Sequence, residues 1–559
     1  MKKNKLTTSS LFFIFILIFF ISGYIIFPLY SLLKESLMSS EKILSLTSYT
    51  NLFSPSSIKA TFNSILLSVI TVIGSAFIGI YFAYTFQYHK IPFKSFLSAL
   101  LLIPLATPPL IGVVAFLFLL NENGLITKLT SLLFNLNTPL FKFDGWTAII
   151  IVHIYSFYTM FFLFVSAALK KIDNNLIDAS YSMGATKSKT FLKVIFPQLI
   201  PSIIGASLIT FMASMASFSA PFILGGSDRF LTTEIFNAKI NGDNSFASAL
   251  SVLLTIISII FLILLRWYRS KKILTIRSKS TPKTSLSLHK KGINYFSTFI
   301  SILFTFLIIL PIMTLLFLSF IPEGSLMRNF FRESFTIDNY IKIFSDLQFF
   351  EPFKNSVEMS IIAVLITLLI GISSSFLIAK KNIKGKNFLE SILALPYGIP
   401  GTVIALSFIL SFNTPTIFSA FTSIVGTFWI LPLAYAVRNL PIMTQSSIAG
   451  FHSIDPSLEE ASQALGASGF RTFYKITIPL IFPSILNGAL LVFINSVGEF
   501  VSTIMLYSYS TKTISVEIYS QIRMYNTGAA ASYGIILFVM VMIIVYVSRR
   551  TLDRSVGVG

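Results

Sequence analysis

Runs of roughly 20 apolar residues, the length that crosses a hydrocarbon core as a helix, recur from residue 11 to residue 548. Lipid offers no partner to backbone N–H and C=O groups, so each run must satisfy its own, and a helix does that. Twelve spans fall near 11–33, 61–86, 96–120, 146–169 and 200–224, with a sixth ending at 265, then near 296–320, 355–379, 389–412, 421–445, 482–508 and 531–548. The predicted fold is an all-α integral membrane protein. Only 11% of the residues are charged, against about a quarter in an ordinary soluble chain. The first run follows Lys2, Lys3 and Lys5 as a signal peptide would, yet it is long and no small-residue cleavage site follows. It reads as a retained helix.

The net charge of +20 does not call for a nucleic acid. With the N-terminus in the cytosol and twelve spans drawn, about 29 of the 42 Lys and Arg fall inside, the bias that orients membrane proteins. Both termini are then cytosolic. Residues 266–294 hold nine Lys and Arg and no acid, so they read as a solvated cytosolic linker that also fixes topology, with contact to lipid headgroups as a secondary role. The chain lacks cysteine, which excludes thiolate metal sites and disulfides. Its four histidines are scattered without ligand spacing, so neither a metal nor a cofactor is expected. No Gly-rich loop ending in Gly-Lys-Ser/Thr occurs, so the chain is not expected to hydrolyse ATP. Nor is there a nucleophile elbow, and the outer loops are too short to form a solute receptor.

The second half repeats the first. Asp178 to Pro197 matches Glu460 to Pro479 at a constant offset of 282: Asp178 with Glu460, Ala179 with Ala461, Gly184 with Gly466, Pro197 with Pro479. Asn63-Ser64, Gly79, Pro104 and Pro108 match Asn355-Ser356, Gly371, Pro396 and Pro400 at an offset of 292. Six spans per half is an even number, so both halves enter the membrane the same way round, as parallel repeats about an axis along the membrane normal. The domains are then 1–265 and 295–559 around the linker. Both repeated stretches face the cytosol.

Each stretch is too polar to span. Asp455-Pro456 has the form of a helix start, with Asp as N-cap and Pro at the first position, and Asp173 stands in the same place in the first copy. Gly184 and Gly466 interrupt the helix, a second short helix follows, and Pro197 and Pro479 mark the next span. The predicted unit is a compact helix–turn–helix beneath the bilayer. An interfacial helix pair resting on headgroups is the alternative, and repetition at one depth favours paired docking sites.

The pattern acid-Ala-Ala/Ser, three residues, Gly, nine residues, aliphatic, any, aliphatic, Pro resembles the EAA loop of ABC importer permeases. Asp178-Ala179-Ser180…Gly184…Val194-Ile195-Phe196-Pro197 fits with Asp for Glu, Ser for the second Ala and Phe before Pro, and Glu460-Ala461-Ser462…Gly466…Ile476-Thr477-Ile478-Pro479 fits with only the second Ala changed. The resemblance covers both halves. It implies coupling helices seated on two cytosolic ATPase subunits, an extracytoplasmic solute-binding protein that docks on loops such as 225–245 and 321–354, and residence in a bacterial inner membrane. Two permease domains in one chain resemble the ferric iron group, with thiamine and phosphonate relatives close by. Asn495-Ser496-Val497-Gly498-Glu499-Phe500 looks like the Gly-Glu-Phe segment of iron, sulfate and molybdate permeases, and Ser217 stands where Glu499 does.

Glu499 lies in an apolar run, where an ionisable group faces a cavity or a partner. It is either a pathway residue, with Ser217 as its counterpart, or a buried carboxyl hydrogen-bonded to a neighbouring helix. His153 reads as a satisfied interhelical histidine rather than a ligand. Pro104, Pro108, Pro109, Pro396 and Pro400 are expected to break their helices, as in helices that line pathways. An ion-driven secondary transporter, which would need intramembrane charge relays, and a membrane scaffold are the rival readings.

Overall fold

The computed structural model describes residues 8–39, 42–136, 138, 142–272, 291–322, 335–380 and 385–556. Lys2, Lys3 and Lys5, most of the linker (273–290) and part of the outer loop 321–354 lie outside them. Among the described residues there are helices and one isolated bridge, Met38 to Leu44, but no sheet. The first half contains α1 (Ile14–Ser36), α2 (Pro55–Tyr88), α3 (Pro109–Leu120), α4 (Gly145–Leu169), α5 (Asn174–Ser182), α6 (Phe196–Met215), α7 (Leu231–Ile240) and α8 (Asn244–Lys272). The second contains α9 (Lys291–Ser319), α10 (Leu347–Lys380), α11 (Lys386–Gly398), α12 (Gly401–Phe412), α13 (Ile430–Ser453), α14 (Pro456–Ala464), α15 (Ile478–Val497), α16 (Ile514–Arg523) and α17 (Thr527–Val556).

Among the described residues ten helices are long and apolar enough to cross a membrane, or eleven when α11 and α12 count as one bent span, against the twelve expected. The shortfall is α13, which is 24 residues long but carries Arg438, Asn439 and Gln445. It also starts later than the expected 421–445. Gly426 sits at φ +80° and Ala420 and Phe421 are left-handed, so the apolar residues ahead of Ile430 form turns rather than a continuation of α13. Pro104, Pro108, Pro109 and Pro400 stand at helix breaks, whereas Pro396, expected to break its helix, lies inside α11, two residues before its end. The expected third span divides at Thr107–Pro108 into Lys94–Leu100, Ile103–Ala106 and α3, and α11 meets α12 at 106°. The expected fifth and eleventh spans also end early, at Met215 and Val497, and each is followed by a short separate helix, Ser219–Leu224 or Thr503–Leu506.

Within each half, glycine brings two helices together. A Cβ at Gly79 would lie 2.6 Å from the Tyr158 carbonyl on α4, and one at Gly371 would lie 2.5 Å from Met443 on α13. Small residues permit this close contact, which dispersion then rewards in lipid. Between the halves the first helices are exchanged. Leu17, Phe20, Ile21 and Ile25 of α1 share a core with Met359, Ala363, Val403 and Phe408, and Tyr24 donates to the Phe418 carbonyl at 2.6 Å. In return α9 places Phe304 against Phe82 at 4.7 Å and against Tyr158 at 6.0 Å.

Candidate functional site

The two repeated stretches fold alike. Asp173 and Asp455 accept the N–H of Asn175 and Ser457 at 3.0 Å each, starting α5 and α14 as the sequence predicts. Exposed Asp455 is held below the ordinary carboxylate range by that backbone bond. Gly184 and Gly466 turn the chain at φ +78° and +84°, a region other residues enter only at a cost of about 1–2 kcal/mol. A Cβ at either would meet nothing within 4 Å. Thr186 and Ser468 then cap the second short helix. A single π turn follows in each copy, at Phe191–Ile195 and Phe473–Thr477, and leads into α6 and α15.

Asp178, Ala179, Gly184 and Pro197 are exposed, as are Glu460, Ala461, Gly466 and Pro479. The residues that tie the loops to the bundle are others. Ser180 bonds Thr190, and Ser462 bonds Thr472, at 2.9 Å in both. Those serines are the departures from the second Ala of the pattern, and they lock the two short helices together. Phe191 meets Tyr84 edge-on at 5.1 Å, and Phe473 meets Phe376 at 4.9 Å. Large apolar side chains remain exposed at matched positions: Leu176 with Leu458, Met183 with Leu465, Leu192 with Tyr474.

The second region lies where the halves meet. A Cβ at Gly498 would be 2.7 Å from Pro108, at the break of the first half, and one at Gly398 would be 3.2 Å from Leu262 of α8. Glu499 is not within a helix. It follows α15, and its side chain is 4% exposed. Its carboxylate accepts the Ser502 N–H at 3.0 Å, the Thr503 N–H at 3.2 Å and the Thr503 hydroxyl at 3.1 Å, and so caps the short helix Thr503–Leu506. It is also ion-paired with Arg438 of α13. A Cβ at Gly401 would collide with that guanidinium, so the glycine at the start of α12 clears a path for it. Arg438 is absent from the sequence-based candidates. The signal was present, a lone cation in an otherwise apolar stretch, but a partner 61 residues away is visible only in three dimensions.

Ser217 holds the matching place in the first half and bonds His153 Nε2 at 2.9 Å. Thr71 and Ser214 stand 3.2 Å from the other ring nitrogen, so the histidine is satisfied between helices. At the same seam Phe222 meets Tyr519 at 5.3 Å and Phe218 faces Phe500 at 6.2 Å, a contact of aromatic rings from both halves.

At the end of the bundle away from the repeated loops, the repeated Asn-Ser pairs hold α7 and α16. Asn63 donates to the Arg229 carbonyl, and Asn355 to the Ser510 and Lys512 carbonyls, all at 3.0 Å. Ser64 and Ser356 accept the N–H groups of Leu231 and Ile514 at 2.9 and 2.8 Å. Each short helix carries a glutamate paired backwards, Glu234 with Arg229 at 3.5 Å and Glu517 with Lys512 at 2.9 Å. Burial pushes the Glu234 carboxyl up, against the pull of Arg229. A cavity of about 590 Å³ opens beside them, lined by Gly226, Asp228, Arg229, Glu234, Asn237 and Asn241 among others.

The family model for "Binding-protein-dependent transport system inner membrane component" matches twice, over residues 75–271 and 367–558. The chain belongs to this family. It is a multi-pass membrane protein and a permease subunit of an ABC importer, built as two tandem permease repeats. A probable ABC transporter permease protein y4fN of Sinorhizobium fredii is 26% identical, over 82% of this permease and 81% of that protein. The ferric transport system permease protein FbpB of Actinobacillus pleuropneumoniae is 28% identical over 86% and 69%. The molybdate/tungstate transport system permease protein WtpB of Methanocaldococcus jannaschii is 33% identical over 34% of this chain and 78% of its own length.

Proposed function

We propose that this permease carries ferric iron, delivered by an extracytoplasmic binding protein, through a path between domains 1–265 and 295–559 in a bacterial inner membrane. Two separate cytosolic ATPase subunits drive it, and both termini are cytosolic. The observation that carries the coupling part is the pair of loops with matching caps, turns and exposed positions. Each is rigidly capped, each bends at a left-handed glycine, and each presents exposed apolar side chains at the same three positions. An apolar patch on an amphipathic helix pair is what a docked protein covers. The ATPases close on α5 and α14, and the π turns pass that movement into α6 and α15. The acidic and amide groups around the outer cavity suit a receptor that presents basic side chains.

Iron is favoured by the FbpB relatives, which align along most of the chain. The WtpB relatives align with one half and support an oxyanion as the second reading. Thiamine and phosphonate would use the same machinery.

The test uses Gly184→Asp and Gly466→Asp. A Cβ at either meets nothing within 4 Å, so the cost is the left-handed backbone, about 1–2 kcal/mol, and the expected result is that expression persists while ATP hydrolysis no longer supports uptake. Unchanged uptake in both variants overturns the coupling role. Uptake of molybdate but not of radiolabelled iron from the cognate receptor overturns the iron assignment alone.

A further inference from the structure

Arg438 is the unusual group of this molecule. Its side chain is 31% exposed, although its partner Glu499 is only 4% exposed. One terminal nitrogen serves Glu499 and Ser502. The Glu499 carboxylate is meanwhile stabilised by the backbone N–H groups of Ser502 and Thr503 and by the Thr503 hydroxyl. The negative member of the pair is thus buried and widely shared, and the positive member forms the accessible face.

The exposure is not isolated. Counting down α13 towards the coupling loop, Ile442 is half-buried and Gln445 and Ala449 are exposed, which places them with Arg438 on one stripe at helical spacing. Asn495, one turn ahead of Glu499 on the neighbouring α15, is also exposed. In the first half the same positions hold Ser156, Met160, Leu163, Ala167 and Ala213, so no charge or amide repeats there. A guanidinium and two amides open to lipid at this depth would be costly, whereas side chains lining a water-filled cavity are tolerated.

We infer that this stripe lines an aqueous vestibule open towards the coupling loops, and that Arg438 at its inner end contacts the solute through anionic oxygen. The solute there is either a free oxyanion or a ferric ion still inside a carboxylate or phosphate shell. A bare cation meeting Glu499 is excluded by the same geometry, because Arg438 stands in front. The inference deepens the importer reading and rests on it.

The absence of cysteine gives a clean test. Asn495→Cys is introduced in the full chain, and inside-out membrane vesicles are treated with anionic or cationic methanethiosulfonate reagents without ATP or receptor. The expected result is modification about tenfold faster by the anionic reagent, the effect of one nearby unit charge at membrane depth. Adding R438Q abolishes the preference and adding R438K keeps it, which separates charge from a folding defect. Molybdate that slows labelling assigns a free oxyanion. Ferric citrate that slows it when citrate alone does not assigns a ligated ferric ion. Protection by none of these overturns the solute contact. An unreactive N495C overturns the vestibule, and a charge preference indifferent to R438Q overturns the role of Arg438. Because no ATPase takes part, failure of the glycine test leaves this measurement standing.

Discussion

The two repeated loops share their caps, turns and exposed tips, but they differ in the chemistry beneath them. Beneath the first loop lie Tyr88, Ile177 and Ile195, at 6%, 2% and 1% exposure in one apolar cluster. The matching positions beneath the second are Lys380, Glu459 and Thr477. Lys380 meets Glu459 at 3.0 Å, and the Thr477 hydroxyl donates to the other carboxylate oxygen at 2.9 Å. Both loops also rest on apolar contacts, the second through Phe473 and Ile478 against Phe376 and Phe451, but at these three positions the first excludes water and the second holds a partly solvated ion pair. Apolar contact is non-directional and insensitive to salt, whereas an ion pair near the surface is directional, modest and screened. The first loop is predicted to be the stiffer mount, and the second the one that conditions can loosen.

Four tests probe that contrast. The largest effect is expected from Ile177→Glu, which places an unpaired charge in the apolar seat at about 3–5 kcal/mol. Thermal unfolding in detergent should show it, and the triple change Y88K/I177E/I195T should recover much of the loss by recreating the polar seat. If the triple change unfolds as readily as the single one, the two seats are not interchangeable modules. Next comes Ile177→Ala, at about 2–4 kcal/mol for an emptied buried site. Glu459→Ala should cost about 1 kcal/mol, and equal losses from these two would remove the distinction drawn here. Third, raising ionic strength from about 0.05 to 0.5 M, which shortens the screening length severalfold, should increase protease cutting at the second loop and leave the first unchanged. The smallest effects are expected from Thr186→Ala and Ser468→Ala, at about 1 kcal/mol or less each for a lost cap. They should be alike, because the caps do not depend on the seats.

Much of this architecture is legible in the sequence because lipid imposes a strict rule. Apolar runs of spanning length and paired residues at fixed offsets announce the helices, the tandem repeat and the broken third and ninth spans, although the count of twelve exceeds the ten or eleven spans among the described residues. The polar loops are legible because Asp455-Pro456 and Gly466 are local signals. Three features are not local. Arg438 disappears into the average of an apolar stretch, and its partner lies on another helix. Gly498-Glu499 reads as the interior of a span because its neighbours are apolar, although the carboxylate ends one helix and caps the next. The seat beneath each loop is assembled from α2 or α10, the loop and the π turn, so Lys380 and Glu459 become a pair only after folding. The near-uniform apolar run of α1 shows neither which face is buried nor which half covers it.

That last feature bears on how the chain is made. Tyr24 and its acceptor Phe418 are separated by 394 positions, and the core residues of α1 wait for partners on α10 and α12. Contacts this distant form late and slow assembly. During synthesis the end of α1 near Leu32 can pack on Ala247 and Leu250 of α8 in its own half, but the face that meets α10 and α12 must stand against lipid, or be borrowed by other proteins, until the second half arrives. Were the halves separate chains, each would have to meet its mate by diffusion before the rest of its own first helix could be covered. Joining them sets the local concentration of the mate by the length of one tether, and every exchanged helix then finds the partner made on the same ribosome.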